Sequence, residues 1–201
     1  MIDVKEYIGI LKEKGRLSMI EMQEWDDYDN RRLNLADVEE DTVGGVVYSI
    51  QHYNHLDKDI PIRDRKPIIL NINSNGGLLI DSMFLVDVIK RSKTPIYGIC
   101  EARAYSAGGL ILVGCHKRYC YPSSTFLLHC GSNGFIGDSA KMIDSVEFDK
   151  RYFEKVKKHY LDNTDISEEL YMEKYRHEWY FTGEDMIKYG IVDEILEEIL
   201  F

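Results

Sequence analysis

Apolar residues along this chain fall into two spacings that alternate from about residue 33 onward. Leu33-Asn34-Leu35 has the in-and-out pattern of a short strand, and Val43, Val46, Val47 and Ile50 recur at helical intervals behind the acidic start Glu39-Glu40-Asp41. Residues 67–72 form an apolar run that predicts a buried strand, and Leu79, Met83, Val86 and Ile89 then mark one face of a long helix. The same alternation continues with a strand over 95–100, a helix over 107–113 and short strands at 118–120 and 125–128. A long charged helix is predicted over 139–161, with Ile143, Val146, Phe153 and Val156 on one side, and a second helical stretch over 167–175. Thr182-Gly183-Glu184-Asp185 opens a capped helix that stops at Gly190, and Ile191-Val192 is read as the closing strand. Strands alternating with helices predict an α/β fold with mostly parallel pairing.

Residues 1–32 do not share this regularity. They carry a short amphipathic stretch (Tyr7, Ile8, Ile10, Leu11) and an acidic segment around Trp25 and Tyr28, and they read as an appendage whose aromatics dock on a partner or on the body. The remainder, 33–201, reads as one domain. A length of 201 residues allows a sizeable core. Asp and Glu outnumber Lys and Arg by 35 to 25, which leaves no basic face for a phosphate backbone and argues against nucleic acid. No apolar run reaches the roughly 18 to 20 residues that span a membrane, and the polar start Met1-Ile2-Asp3-Val4-Lys5-Glu6 is unlike a secretory signal, so a cytoplasmic protein is expected. Cys100, Cys115, Cys120 and Cys130 lie within or beside apolar segments and read as free, buried thiols; their spacing gives no paired metal-binding motif, and no metal or cofactor is expected.

Ser106 sits among small residues, Ala102-Arg103-Ala104-Tyr105-Ser106-Ala107-Gly108-Gly109, between a predicted strand and a predicted helix. Such a loop lifts a hydroxyl to a helix N-terminus, where unpaired N–H groups favour developing negative charge, as acyl transfer on serine requires. A Ser among small neighbours is also an ordinary N-cap. Asn73-Ser74-Asn75-Gly76-Gly77 occupies the same kind of strand-to-helix junction, either as a tight turn or as a backbone donor to an oxyanion, with the Ala107 N–H as second donor. His129 ends the strand Phe126-Leu127-Leu128 and is the candidate general base; His177, before Glu178, competes with it. His52, His55, His116 and His159 lie in charged or helical surroundings and read as surface residues.

Taken in order, Asn73-Ser74-x-Gly76-Gly77, Ala104-x-Ser106-x-Gly108, His129 and Tyr189-Gly190-Ile191-Val192-Asp193 resemble the proteolytic subunit of the Clp protease (the ClpP family) over about 33–195. The resemblance implies a ClpP/crotonase-like spiral of ββα units with a protruding helical handle at about 139–177. It implies a serine endopeptidase with Ser106 as nucleophile, His129 as base, and Gly77 and Ala107 at the oxyanion-hole positions. It further implies homo-oligomeric stacked rings of seven, unfolded polypeptides as substrates, and an AAA+ unfoldase partner that uses ATP on the ring's behalf. Glu178 stands where the family carries an Asp and is the third member of the expected triad; Tyr105 and Ala107 also depart from the family's usual neighbours of the serine. These departures leave open a catalytically weak or inactive ring subunit. A crotonase-type acyl-CoA enzyme would share the fold but does not explain Ser106 together with His129.

Overall fold

The computed structural model describes residues 9, 11–13, 15, 18–132, 134 and 136–199. Of the predicted N-terminal amphipathic stretch, Tyr7, Ile8 and Ile10 lie outside the described residues. A helix α1 (Met19–Asp29) opens on a capping box between Ser18 and Glu21, and is followed by β1 (Arg32–Leu35) and α2 (Glu40–Leu56). Tyr28 of α1 docks on the body: its carbonyl accepts from the Tyr53 hydroxyl at 2.9 Å, and its own hydroxyl meets His52 Nε2 at 3.0 Å. Beneath this contact Arg31 grips the buried Asp57 through two bonds of 2.6 Å, holding the Asp57 carboxyl below its ordinary range.

The sheet is built outward from two strands. β2 (Ile68–Ser74) places Ile68, Ile69, Leu70 and Ile72 at 2% exposure or less, which is why it reads as a continuous apolar run: a parallel strand is covered on both faces. It pairs in parallel with β1 on one side and with β3 (Ile96–Tyr105) on the other. The first half of β3 pairs with β4 (Lys117–Cys120) and the second half with β5 (Thr125–Leu128), so one edge of β3 serves two strands in succession. β7 (Glu194–Ile195) extends the β4 side in parallel, while β6 (Trp179–Phe181) runs antiparallel to β5. This mixed, stepped α/β sheet accords with the expected spiral.

Helices α2 and α3 (Leu79–Arg91), together with α4 (Ala107–Gly114), bury one face of the sheet; every residue of α4 is buried, as a helix that is apolar all round must be. A smaller cluster of Ile69, Ile99, Tyr119 and Leu196 forms on the opposite face. The long helix α5 (Ser139–Asn163) buries Val156, His159 and Tyr160 at its C-terminal end, whereas Ile143 and Phe148 nearer its start are 59% and 46% exposed. α6 (Glu168–Lys174) and α7 (Gly183–Lys188), the latter with a Thr182–Asp185 capping box, complete the fold.

Four expectations need correction. β3 does not end at Cys100: it runs on to Tyr105, because Arg103, Ala104 and Tyr105 pair with Thr125, Phe126 and Leu127. Ile191-Val192 is not the closing strand. Both N–H groups bond back to the Met186 carbonyl as the cap of α7, both side chains plug the core, and pairing resumes only at Glu194. His159 is not a surface residue but 3% exposed; Nε2 meets the Leu110 carbonyl at 2.9 Å and Nδ1 meets Lys90 Nζ at 3.0 Å. Among the thiols, Cys100, Cys115 and Cys120 are free and buried, but Cys130 is only half-buried.

Candidate functional site

Ser106 is the entire turn between β3 and α4. Its N–H donates to the Leu127 carbonyl at 2.9 Å, which ties it to β5, and its backbone then adopts φ 52° and ψ −118°. A positive φ in a residue with a Cβ is strained and persists only where both flanks are fixed. Here a sheet strand fixes one flank and a wholly buried helix the other. The Ser106 carbonyl accepts from Gly109 and Leu110 at 3.0 and 3.2 Å. The Ala107 N–H, at the first position of α4, lies outside the helical ladder and carries the positive end of the helix field.

The glycine pair abuts this turn. Gly76 has φ 108°, and a Cβ there would lie 2.8 Å from Ser106 Cβ and 3.0 Å from the Tyr105 carbonyl oxygen. Gly77, at φ 145°, is pressed as closely on Val38: a Cβ would fall 2.2 Å from its carbonyl oxygen. Val38 donates to the Gly76 carbonyl and accepts from the Leu78 N–H, both at 2.8 Å. In this parallel bridge the Gly77 N–H is turned away from Val38. Glycine is therefore demanded twice, by backbone angle and by crowding.

His129 follows directly on β5 and is half-buried, with its Nε2 out of contact with water and without a hydrogen-bond partner. The ladder pairs Leu127 with Tyr180 and ends with Leu128 on Trp179, so His129 and Glu178 are the residues that adjoin its last pair. His177, the competing histidine, is exposed. The Glu178 carboxylate is exposed too, and it accepts from the Tyr180 hydroxyl at 2.7 Å, which raises the Tyr180 phenol above its ordinary pKa. The fold thus gathers Ser106, Ala107 and the glycine pair around one turn and brings His129 and Glu178 to the same end of the β5–β6 ladder. Among the described residues, no hydrogen bond joins Ser106, His129 and Glu178. Past His129, Cys130 and Gly131 open on a largely apolar cleft of about 910 Å³ walled by Val146, Phe153 and Tyr175.

The sequence reading passed over Tyr180. Its ring meets that of Tyr105, the residue before the serine, edge to face at 5.9 Å, and the Tyr105 hydroxyl lies 2.9 Å from Thr125 Oγ1. Glu178 lies just before β6 and Tyr180 within it, so no strand alternation links the two in the sequence.

A family model described as Clp protease matches residues 53–199, a span that takes in the glycine pair, the serine turn, the strand-end histidine and Glu178. The ATP-dependent Clp protease proteolytic subunit of Deinococcus radiodurans is 25% identical over 133 residues. That alignment covers 65% of this chain and 65% of the relative, so the chain matches a little under two thirds of the relative's length. With the family model running from the end of α2 through β7, and with the stepped parallel sheet that carries the serine turn, this chain belongs to the Clp protease family.

Proposed function

We propose that the chain is a serine endopeptidase of the Clp type, with Ser106 as nucleophile, His129 as general base and Glu178 as the acid that orients it. The strained turn at Ser106 is the observation that carries this reading: a half-buried serine held at φ 52° at the start of a helix is the placement a nucleophile needs beside backbone donors. His129 takes the hydroxyl proton as Ser106 Oγ attacks the peptide carbonyl, and the resulting oxyanion is met by the N–H groups of Gly77 and Ala107. The imidazolium then gives its proton to the departing amine. Water, activated by the same histidine, hydrolyses the acyl-enzyme and regenerates the serine. The apolar cleft beyond Cys130 receives substrate side chains.

The family membership supports the wider setting. Substrates are unfolded polypeptides, admitted to stacked homo-oligomeric rings of seven by an AAA+ unfoldase in the cytoplasm. The exposed apolar residues of α5 outside that cleft, Ile143 and Phe148, are the surface that ring contacts would cover. Hydrolysis of a fluorogenic peptide tests the reading: Ser106→Ala should lower kcat by about 10³-fold or more with the particle intact. Substantial activity in the pure variant overturns it.

A second reading is favoured by one observation: His129 Nε2 has no partner, and the Glu178 carboxylate is engaged by Tyr180. A chain that stays in this arrangement is a weak or inactive ring subunit whose role is structural or regulatory. Such a chain leaves peptide uncleaved even when assembled.

A further inference from the structure

Tyr105, the residue before the serine, and Glu178 both meet a third side chain, Tyr180. The register aligns Tyr105, Leu127 and Tyr180 in one row across β3, β5 and β6, and the two tyrosine rings meet edge to face above a Leu127 left only 6% exposed. Tyr105 is held in turn by its hydroxyl contact with Thr125. Tyr180 donates its hydroxyl to the carboxylate of Glu178, two residues back and just before β6. One residue past the last ladder pair, Leu128–Trp179, the two strands lead into His129 and Glu178, and among the described residues the His129 ring nitrogen Nε2 has no hydrogen-bond partner.

We propose that Tyr180 is a positioning residue that latches Glu178 away from His129, so that release of this one hydrogen bond lets the carboxylate swing to the imidazole and complete the triad. This rests on the peptidase reading above. The latch is local and reversible: Glu178 is exposed and Tyr180 is 54% exposed, so solvent can reach both side chains. A phenol is protonated at neutral pH and the Glu178 contact favours that form further, so Tyr180 remains a donor there. Because Tyr180 leans on the residue before the nucleophile, a substrate that presses on Tyr105 while entering the Ser106 turn would also disturb the latch. Occupancy of the site is thereby linked to the availability of its acid.

Tyr180→Phe tests this directly, since it removes one oxygen and keeps the ring that packs on Tyr105. The full-length variant should crystallise with a Glu178 oxygen within hydrogen-bond distance of the His129 ring. Its kcat on a short peptide should rise about three- to tenfold with KM unchanged, the scale of one competing hydrogen bond to a charged acceptor. Tyr180→Phe combined with Glu178→Gln should lose the whole gain, which a merely structural tyrosine would not bring about. A variant crystal in which Glu178 stays off His129, or a kcat that is unchanged or lower while the wild type is active, overturns the latch. If neither protein cleaves peptide, the peptidase reading fails, and the position of the carboxylate in the variant crystal still decides the latch alone.

Discussion

Gly76→Ala probes the geometry on which the site depends. The added Cβ would lie 2.8 Å from Ser106 Cβ, 3.0 Å from the Tyr105 carbonyl oxygen and 3.3 Å from the Ala107 nitrogen, at a φ of 108° that side chains rarely adopt. All three neighbours belong to the serine turn, and two are backbone atoms held by the sheet and by α4, so none can rotate aside. Backbone strain of about 1–3 kcal/mol adds to crowding of about 1–3 kcal/mol. A total near 4 kcal/mol would lower Tm by about 10 °C for a chain of this size. The part of the strain relieved by motion displaces Ser106 from its donors, and a shift of about 1 Å costs about 10²-fold in rate. Gly44→Ala is the control: it lies in α2 with nothing within 4 Å of the added carbon, and should gain up to about 1 kcal/mol of helix stability. Thermal melts and kcat/KM on a fluorogenic peptide read both variants. Wild-type Tm and activity in Gly76→Ala would refute the close packing of the glycine on the nucleophile.

His129→Ala should lower kcat as severely as Ser106→Ala, and the double variant should be no worse than either, because the two act as one unit; an active His129→Ala beside an inactive His177→Ala would move the base to His177. Glu178→Gln keeps the shape of the acid but removes its charge, so kcat should fall by about 10²-fold or more; an unchanged rate removes Glu178 from the site. Burial pushes the His159 imidazole down to about 4, whereas an unfolded chain titrates it near 6.5. Its folded pKa lies below its unfolded one, so the unfolded state binds more protons between these values; stability is complete above about 6.5 and falls by about 3 kcal/mol as pH drops toward 4. Urea denaturation across that window should show the slope in the wild type and a flatter profile in His159→Gln; equal slopes would contradict it.

Elements whose burial is one-sided or complete were legible in the sequence. Val43, Val46, Val47 and Ile50 announce α2, and the run 68–72 announces β2, because each pattern is the direct imprint of the core. The second half of β3 was not legible: Glu101 to Arg103 are polar or small there, and the strand exists because β5 supplies its partner, a pairing that composition does not encode. Ile191 and Val192 misled for the opposite reason, since two apolar residues anchor a helix cap in the core as readily as they form a strand. His159 could have been placed correctly from its spacing with Val156 and Tyr160 on one face, despite Lys157 and Lys158 beside it.

The site divides in the same way. Ser106 and Gly76-Gly77 were visible as small-residue junctions, because strained backbone restricts residue type locally. That His129 and Glu178 adjoin the same end of one ladder depends on an antiparallel register between strands some fifty residues apart. The attention drawn by Glu178 therefore came from the family resemblance, and Tyr180 stayed hidden behind an exposed aromatic pattern that carries no local signal of its own.

Reaction of the intact, assembled protein with a fluorophosphonate, followed by mass measurement of the chain and of its peptides, tests the central claim most directly. The probe demands a hydroxyl deprotonated by a neighbouring base and an oxyanion site to accept the phosphoryl oxygen. The account predicts a single adduct, carried by Ser106 and lost in Ser106→Ala and His129→Ala. A folded, assembled particle that takes up no probe, or takes it up at another residue, would contradict it.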